Sequence, residues 1–324
     1  MKVLFVCSGN ATGAPGTVVK NQANSLHAKG VSISFFLIKK KGLLGYIIYG
    51  NKLRSFINNN HFDIIHAHYT LSGWSAVIGS GNIPVVLSLM GSDAHGNMIA
   101  SNRFTLKSKF LIFLTYIIQP YVKKIISKSA NIENIVWAKR KSIIIPNGVN
   151  TIKFHPAAVS KQNLGLNEKN IQVLFLGDRN DIGKNYKLAI NAFSLLNDLN
   201  VELHCPYPIS HDQIPEYLNT FDILIHTSFA EGSPNLIKEA MACNMPIVAT
   251  DVGDISWLFG DEPGHFLTSF EPVDVAEEIT QAIEFSKKYG RTKGRDRIIK
   301  LGLDSETIAD RIIEVYNSVL ENGK

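Results

Sequence analysis

Two glutamates, Glu231 and Glu239, lie eight positions apart in the segment Ala-Glu-Gly-Ser-Pro-Asn-Leu-Ile-Lys-Glu-Ala-Met-Ala-Cys. The preceding run Asp-Ile-Leu-Ile-His-Thr, which begins at Asp222, is apolar and typical of a β-strand. The expected order is therefore strand, tight loop and helix. Pro234 suits the first turn of that helix, where its missing N–H costs nothing. This order places one acid in the loop and the other on the helix.

The start of the predicted helix is suited to binding a phosphate. The first N–H groups of a helix have no partner within it, and the helix dipole favours an anion in front of them. In this chain the donors are Ser233, Asn235 and Leu236. Glu239 lies about one helical turn further along, where its carboxylate can accept hydrogen bonds from a diol such as a ribose. Loop amides, a helix dipole and two acids together predict a site for a sugar nucleotide.

A second loop offers positive charge. The sequence Gly-Asp-Arg-Asn-Asp-Ile-Gly-Lys begins at Gly177 and follows a predicted strand that starts at Ile171. Its cations, Arg179 and Lys184, can bind one diphosphate together, and they would stabilise the charge that grows on a departing nucleoside diphosphate. Taken alone, the two residues are also compatible with solvated loop cations.

Two further glycine turns are weaker signals. In Ser-Gly-Asn-Ala-Thr-Gly-Ala-Pro-Gly-Thr, Gly13 and Gly16 can bring backbone close to a ligand ahead of a helix start, and we expect them to contribute to the donor site. This loop matches neither Gly-x-Gly-x-x-Gly nor the P-loop lysine motif, so a tight turn without a ligand is an open alternative. The turn Thr-Asp-Val-Gly-Asp is compatible with a structural role in which Asp254 caps the next helix.

Strand and helix patterns alternate along the chain, which is typical of parallel, doubly wound sheets. Segment 151–170 has little periodicity and is interpreted as a linker, so we expect two similar halves with a cleft between them. Ligands of such sheets bind beyond the carboxyl ends of the strands, where the loops above lie. The main predicted strands are 2–7, 31–37, 63–66, 84–88, 171–176, 201–205, 222–226, 246–250 and 265–268, and the main predicted helices are 17–29, 186–196, 235–243 and 305–320.

Composition agrees with a globular protein of two domains. The 324 residues exceed the usual size of one core, and the chain is 45% hydrophobic and 19% charged. The net charge of +5 fits an anionic ligand or an anionic membrane surface, but it is too small to indicate nucleic acid. The cysteines Cys7, Cys205 and Cys243 lie beside apolar residues, which predicts buried, reduced thiols.

The apolar segments are too short for targeting or for spanning a membrane. The run 110–118 has roughly half the ~20 residues that a spanning helix needs. The apolar stretch at the N-terminus is shorter than a signal peptide and is interpreted as the first strand. We therefore expect a cytoplasmic protein.

These segments together resemble the retaining GT-B glycosyltransferases of family 4. The resemblance covers essentially the whole chain, and the pair of glutamates with its flanks is its most specific part. It rests on Pro146-Asn-Gly-Val-Asn, Phe154-His-Pro, Asp63-Ile-Ile-His-Ala-His-Tyr, Leu89-Met-Gly-Ser-Asp, Gly177 with Arg179 and Lys184, Glu231-Gly-Ser-Pro-Asn, Glu239-Ala, Pro246-Ile-Val-Ala-Thr and Gly253.

The resemblance implies an α/β fold of the GT-B type, with two Rossmann-like, doubly wound parallel-sheet domains facing a cleft. The first domain, 1–157, would take the acceptor, and the second, 158–304, would bind the nucleotide-sugar donor. The C-terminal helix, 305–324, would pack back on the first domain. The implied activity is transfer of a sugar from a nucleoside-diphosphate sugar with retention, by front-face substitution assisted by the leaving phosphate.

The resemblance also implies roles for single residues. Arg179 and Lys184 would hold the donor diphosphate, with Glu231 at the donor sugar as the third catalytic residue. Glu239 would bind the ribose hydroxyls. The backbone of Gly232, Ser233, Pro234, Asn235 and Leu236, with that of Gly177, would contact the sugar and phosphates. No cofactor and no metal are expected, because the nucleotide of the site is the donor substrate, a nucleoside-diphosphate sugar.

One position departs from the family pattern. Many relatives have a histidine immediately before the glycine of the Gly-Ser-Asp loop, where it meets the donor sugar, and this chain has Met90. His68, Asp93 and His95 are the candidates for the acceptor and sugar side. The His-x-His spacing of His66 and His68 also occurs in metal sites, but a cleft-lining or internally packed pair is favoured because the neighbouring acids are few and the family uses no metal.

Two stretches of the first half combine lysines with apolar residues. Residues 107–128 are interpreted as a buried helix broken near Pro120, with contact to an anionic bilayer as the alternative. Residues 39–49 offer a second patch of this kind. Because the family's acceptors are often lipid-linked, we favour peripheral contact with the inner face of the cell membrane.

The expected function is a retaining glycosyltransferase of the hexosyltransferase type. It would move a sugar to a glycan or lipid-linked acceptor in polysaccharide biosynthesis. A sugar-nucleotide epimerase with GT-B architecture is the alternative enzyme, and a catalytically silent sugar-nucleotide-binding partner of a transferase is the alternative from another class.

Overall fold

The computed structural model describes residues 1–9, 13–40, 42–96, 98–100, 103–196 and 200–321. The chain forms two compact units. The first comprises Met1–Gly96, Phe104–Gly148 and Ser305–Lys324, and the second comprises Asn97–Arg103 and Val149–Asp304. Within the described residues, no helix is both long enough and apolar enough to cross a membrane.

The strands and helices are as follows. The strands are β1 Lys2–Ser8, β2 Ser32–Ile38, β3 Ile64–His68, β4 Val85–Ser88, β5 Met98–Ala100, β6 Arg103–Phe104, β7 Lys124–Ser127, β8 Ser142–Ile144, β9 Ile171–Leu174, β10 Val201–His204, β11 Ile223–His226, β12 Ile247–Thr250 and β13 His265–Thr268. The helices are α1 Thr17–Ala28, α2 Leu43–Asn58, α3 Thr70–Gly79, α4 Ser92–His95, α5 Leu106–Ile118, α6 Ala130–Glu133, α7 Tyr186–Phe193, α8 Ile214–Thr220, α9 Asn235–Ala242, α10 Ile255–Phe259, α11 Pro272–Tyr289, α12 Gly294–Lys300 and α13 Ser305–Glu321.

The first unit contains a six-stranded sheet in the order β2-β1-β3-β4-β7-β8. Neighbouring strands are parallel, and the central ones are almost continuously apolar, as a sheet covered on both faces requires. On β3, Ile65 and Ala67 pack into a core shared with α2 and α3. His66 points to the opposite face, where the hydroxyl of Tyr316 from α13 contacts it.

The second unit contains a five-stranded parallel sheet in the order β10-β9-β11-β12-β13. Its core combines β9, β11 and β12 with α7 and α11. Since the strands are parallel, the loops after β9, β10, β11 and β12 all leave from one edge of this sheet. That edge carries the second unit's predicted site residues.

The division between the units comes at Gly148–Val149, nine residues before the predicted boundary at 157/158. The reason is that the segment after Gly148 packs within the second unit. Val149 pairs with Asp304, and the guanidinium of Arg295 donates hydrogen bonds to the carbonyls of Thr151 and Phe154. The structure groups the segment from Ser305 onward with the first unit.

Most predicted strands and helices occur within one or two residues of their predicted bounds, and the three cysteines are free and buried as predicted. The prediction for 107–128 was wrong in its second half. The helix ends at Ile118, and after a short turn the chain forms β7, which pairs with β4 and β8. A short apolar run does not reveal by its pattern whether it is helix or strand.

Candidate active site

The loop after β11 and the turn before α7 bring two charged side chains together. The ammonium of Lys184 donates to Oε1 of Glu231 over 2.7 Å. Nε2 of His226, the last residue of β11, lies 3.3 Å from the same oxygen. The contact follows from the sheet order, because β9 and β11 are neighbours and their following loops meet at the same edge.

The surroundings of Glu231 decide its charge. Burial alone would raise the pKa of this carboxyl, but His226 and Lys184 outweigh burial and hold the pKa well below its usual range. Glu231 is therefore an anion at neutral pH, and it can accept hydrogen bonds but cannot act as a proton donor.

The turn after β12 packs against the backbone of the Glu231 loop. Gly253 has a φ of +69°, and a Cβ built on it would lie 2.8 Å from the carbonyl oxygens of both Glu231 and Gly232. Only glycine satisfies both the left-handed backbone and this close approach. The position of the Glu231 carboxylate therefore depends on contact between two loops.

Glu239 lies on α9, and its side chain is only 10% exposed. Its Oε1 is 2.9 Å from Nε2 of His211, in the loop after β10. Nδ1 of His211 is 3.1 Å from Nζ of Lys153, and the same ammonium donates to Oδ1 of Asp212 over 2.6 Å. Glu239 is thus the end of a hydrogen-bonded chain of four side chains.

A buried lysine lies in the first turn of α9. Lys238 has no exposed surface, and its ammonium donates to Oγ of Ser233 over 3.1 Å. Burial lowers the pKa of Lys238 to about 8, against the opposing influence of Asp254 and Glu239. Burial likewise raises the pKa of Asp254, against the influence of Lys238. Asp254 makes no capping hydrogen bond to α10, so the prediction of a helix cap was wrong, and the carboxyl faces this buried charge instead.

Arg179 has a different environment from Lys184. Its Nη2 donates to the carbonyl of Cys205 over 2.9 Å, and the guanidinium lies 5.3 Å from the centre of the Tyr186 ring. It borders a cavity of about 280 Å³ beside the end of β10. The other lining residues are Leu164, Leu166, Leu203, His204, Cys205, Pro206, Tyr217 and Phe221.

The predicted residues of the first unit have mostly structural surroundings. Asp93 is fully buried, and its carboxylate accepts from the backbone N–H groups of Met90, Gly91 and Thr70, which holds the turn before α4. Burial raises its pKa, and these hydrogen bonds oppose the rise. The carboxylate of Asp93 therefore holds its own loop and joins it to the start of α3.

The two candidate histidines are also enclosed. The His68 ring stacks on that of His66 at 4.3 Å between centres and lies tilted against that of Phe5 at 4.5 Å, and burial lowers the pKa of His68 to about 3. Burial likewise lowers the pKa of His95. Both imidazoles are therefore neutral at pH 7, and their roles toward an acceptor stay predictions.

Gly13 and Gly16 lie between β1 and α1, and the intervening residues 10–12 of this loop are outside the described part of the chain. Gly13 has a φ of +72°, and Gly16 precedes the first turn of α1. Their part in donor binding stays a prediction. Within the described residues, no group of three or more His, Cys, Asp or Glu side chains is arranged to hold a metal ion.

The second unit thus brings together Lys184 and Glu231, and it places Glu239 on the helix that follows. Sequence reasoning missed His226 and His211, which contact these two acids. His226 was visible only as the last residue of a predicted strand, and no spacing rule links His211 to Glu239 across 28 positions. Lys238 was not singled out because a lysine on a helix is ordinarily exposed.

Two α/β domains with parallel sheets of six and five strands form a fold of the GT-B type. Residues 4–153 match the family described as Glycosyltransferase Family 4, and residues 154–285 match the family described as Glycosyl transferases group 1. The chain belongs to the family 4 glycosyltransferases. Both matched families are described as glycosyltransferases, which favours a transferase over the epimerase alternative.

Curated relatives agree with this assignment. The chain is 24% identical over 248 residues to TuaC of Bacillus subtilis (strain 168), whose name provisionally assigns it to teichuronic acid biosynthesis. That match covers 68% of this chain and 61% of TuaC, which is less than two thirds of the relative's length. The chain is also 28% identical over 291 residues to the uncharacterized glycosyltransferase MJ1178 of Methanocaldococcus jannaschii, covering 79% of this chain and 80% of that protein.

Solved structures share the fold. Sucrose-phosphate synthase from Thermosynechococcus elongatus superposes with a TM-score of 0.84 at 16% identity, covering 99% of both chains. HepE from Anabaena, in complex with UDP-glucose, superposes with a TM-score of 0.72 at 18% identity, covering 98% of this chain and 100% of HepE.

Proposed function

We propose that this protein is a retaining hexosyltransferase. It moves a sugar from a nucleoside-diphosphate sugar to a glycan or lipid-linked acceptor in polysaccharide biosynthesis. The observation that carries the proposal is the grouping of Lys184 and Glu231 in one ion pair, with Glu239 held on the helix that starts beside them. A donor needs a cation for its diphosphate and hydrogen-bond acceptors for the hydroxyls of its sugar and of its ribose, and Lys184, Glu231 and Glu239 supply these groups.

The donor diphosphate is assigned to Lys184, Arg179 and the start of α9. The Lys184 side chain is 34% exposed, so its ammonium can contact both Glu231 and a ligand. Arg179 is exposed and can leave the Cys205 carbonyl for a phosphate, because its present partner is a neutral acceptor. A diphosphate that gains negative charge as its sugar departs is stabilised by both cations.

Glu231 is assigned to the donor sugar. Its low pKa makes it a permanent hydrogen-bond acceptor, which suits sugar hydroxyls and the positive charge that develops on the sugar ring during transfer. The family resemblance supports front-face substitution, in which the leaving phosphate assists the acceptor hydroxyl. Retention of the anomeric configuration follows from that route. UDP-glucose, the ligand of HepE, is the first donor to test.

The first domain is assigned to the acceptor, with peripheral contact to an anionic membrane. Helix α5 exposes Phe110 and Phe113, at 51% and 56%, just after the exposed lysines Lys107 and Lys109. Helix α2 exposes Leu44 and neighbouring isoleucines beside Lys39 and Lys40, while Lys41 lies outside the described residues. Apolar side chains flanked by lysines fit the boundary of a bilayer with anionic headgroups.

Vesicle binding tests the membrane contact. The double substitution of Phe110 and Phe113 by serine is expected to weaken binding to phosphatidylglycerol vesicles by roughly 10²–10³-fold, since each buried phenyl ring contributes about 2 kcal/mol and every 1.4 kcal/mol is tenfold. Ile299→Ser is the matched control, because Ile299 is 51% exposed but lies in the second unit. Equal binding by the double variant and the control would remove the membrane contact from the proposal.

The transfer reaction is tested with a panel of nucleotide sugars and membrane or glycan acceptors. The proposal predicts release of a nucleoside diphosphate and a product whose anomeric configuration, read by NMR, equals that of the donor. An inverted product contradicts retention. Tight donor binding with no turnover on any acceptor would favour the catalytically silent partner instead.

A further inference from the structure

His211 holds one oxygen of Glu239. It lies in the loop between β10 and α8, and its side chain is 23% exposed. Its Nε2 is 2.9 Å from Oε1 of Glu239, across 28 positions of sequence. The contact joins the loop after β10 to the middle of α9. Among the described residues of that loop, only His211 contacts the Glu239 carboxylate.

The partners of His211 fix where its proton lies. An ammonium group has only donors, so Nδ1 of His211 accepts from Lys153 over 3.1 Å and carries no hydrogen. The same ammonium also pairs with Asp212 at 2.6 Å. The proton of a neutral imidazole must then lie on Nε2, from which it is donated to Glu239. The Phe154 ring, edge-on at 5.5 Å, packs against the imidazole in this orientation.

This arrangement prepares Glu239 for a diol. A carboxylate that accepts a charge-assisted hydrogen bond on one oxygen has its plane fixed, and the other oxygen keeps its acceptor positions for a ligand. An ionised carboxylate accepts only, so it favours ligands that bring hydroxyl donors. A site built to bond hydroxyl groups discriminates strongly against analogues that lack them.

We propose that His211 is a positioning residue that orients Glu239 toward the vicinal hydroxyls of the donor ribose. The relay of Asp212, Lys153, His211 and Glu239 makes the site selective for ribonucleotides over nucleotides without the diol. The inference rests on the proposed function, in which Glu239 is the ribose ligand. The relay, and not Glu239 alone, is the source of the selectivity.

The test measures binding of UDP, GDP and ADP, each beside its 2′,3′-dideoxy counterpart, to the full chain by calorimetry. In the wild type, at least one ribonucleotide should bind better than its dideoxy counterpart. His211→Phe keeps a ring beside Phe154 but removes the N–H donor. It is expected to weaken binding of that ribonucleotide about tenfold or more, because the Glu239 carboxylate loses the hydrogen bond that orients it. Binding of the dideoxy form should not change.

Two further variants separate positioning from packing. His211→Gln places an amide N–H near the lost donor and should recover part of the ribonucleotide preference. Lys153→Met removes the partner of Nδ1 and should reduce the preference without abolishing binding. His155→Phe, an exposed histidine of the same unit, is the matched control and should match the wild type.

The outcomes separate this inference from the proposed function. Equal weakening of ribo and dideoxy nucleotides by His211→Phe and His211→Gln would show a general packing role and overturn the inference. Wild-type binding that does not distinguish the two forms would overturn it as well, while leaving a nucleotide site in place. No binding of any nucleoside diphosphate would contradict the proposed function itself.

Discussion

Glu231 is an anion with two nitrogen partners, and the carboxyl of Glu239 has one, Nε2 of His211. These different surroundings give the two acids separate tasks. Glu231 lies in the loop after β11, contacts Lys184 from the turn before α7, and meets the reacting sugar in the proposed complex. Glu239 lies on α9, and in the proposed complex it binds the ribose, a part of the donor that does not react.

Alanine substitutions should separate the two tasks. Glu231→Ala is expected to lower kcat by roughly 10²–10³-fold with a smaller change in donor affinity, since it removes electrostatic stabilisation of the transition state. Glu239→Ala is expected to raise the donor KM by about tenfold or more, since it removes hydrogen bonds to the ribose. Steady-state kinetics at saturating acceptor measure both. Identical changes in the two variants would contradict the separation.

The low pKa of Glu231 also makes a prediction about stability. Its folded pKa lies below the unfolded value, so its contribution to stability is present above about pH 4.3 and is lost as pH falls further. The free energy of unfolding of Glu231→Gln should therefore fall less between pH 6 and pH 3 than that of the wild type. Urea unfolding at several pH values measures the difference.

The exposed Glu168 provides the control. Glu168→Gln should follow the wild-type pH dependence. If Glu231→Gln does the same, the ion pair with Lys184 does not stabilise the folded state.

At this scale the sequence predicted the charged residues but not their partners. Glu231, Glu239 and Lys184 were found from residue type, spacing and loop position. His226 and His211 were not, because their contacts arise from strand neighbours in the sheet and leave no periodic trace in the chain. Asp93 fitted a site by type, yet its surroundings use it to hold a turn.

At the scale of the elements, the loops after β11 and β12 contact each other, and this contact positions Glu231. Gly253→Ala is expected to displace the Glu231 loop, because the added Cβ would meet two carbonyl oxygens at 2.8 Å. We expect a loss of about 1–3 kcal/mol in stability together with a large fall in kcat. Urea unfolding and kinetics on the same preparation measure both.

Gly290→Ala isolates the contact from the backbone strain. Gly290 has a φ of +73°, close to that of Gly253, but a Cβ there would meet nothing within 4 Å. It should lose about 1–2 kcal/mol of stability for the positive φ and keep full activity. Equal losses of activity in both variants would show that the loop contact is not what positions Glu231.

Strands and helices were predictable where their hydrophobic pattern was long. The alternation from β1 onward and the helices α1 and α13 fall close to their predicted bounds. β7 was not predicted, because its four residues follow an apolar helix and are flanked by lysines. The sheet order that places β7 beside β4 depends on tertiary pairing, which the local sequence does not encode.

Across the whole molecule, the chain returns to its first unit through α13. Tyr316 of this helix is fully buried, and its hydroxyl lies 2.6 Å from Nδ1 of His66. Burial lowers the pKa of His66, so the imidazole is neutral and needs a hydrogen-bond partner more than a counter-ion. Residues 64–68 and the C-terminal helix are thus coupled through one polar contact within the first unit.

Tyr316→Phe should cost about 1–3 kcal/mol of stability, because it leaves a ring nitrogen of His66 buried without a partner. Thermal or urea unfolding measures the loss. Tyr289→Phe, at a tyrosine that is 60% exposed, is the control and should match the wild type. A stable Tyr316→Phe variant would mean that packing alone joins α13 to the sheet.

The fold and family of the whole molecule were predictable because motifs from both halves agree with one architecture. The boundary at 148/149 was less so, since the segment that follows it looks like a linker in sequence and packs through backbone carbonyls held by Arg295. The acceptor and the donor base depend on pocket shape, which residue types alone do not specify.

The central claim is that a nucleoside diphosphate binds at the carboxyl edge of the second domain. Thermal unfolding with UDP, GDP and ADP at increasing concentration tests it most directly, because a ligand at 100 times its Kd stabilises the native state by about 2.7 kcal/mol. The account predicts that at least one nucleotide raises the Tm of the wild type, and that the rise is much smaller in Lys184→Ala and Glu239→Ala. No rise in Tm with any of the three nucleotides would contradict the claim. A rise in both variants as large as that in the wild type would also contradict it.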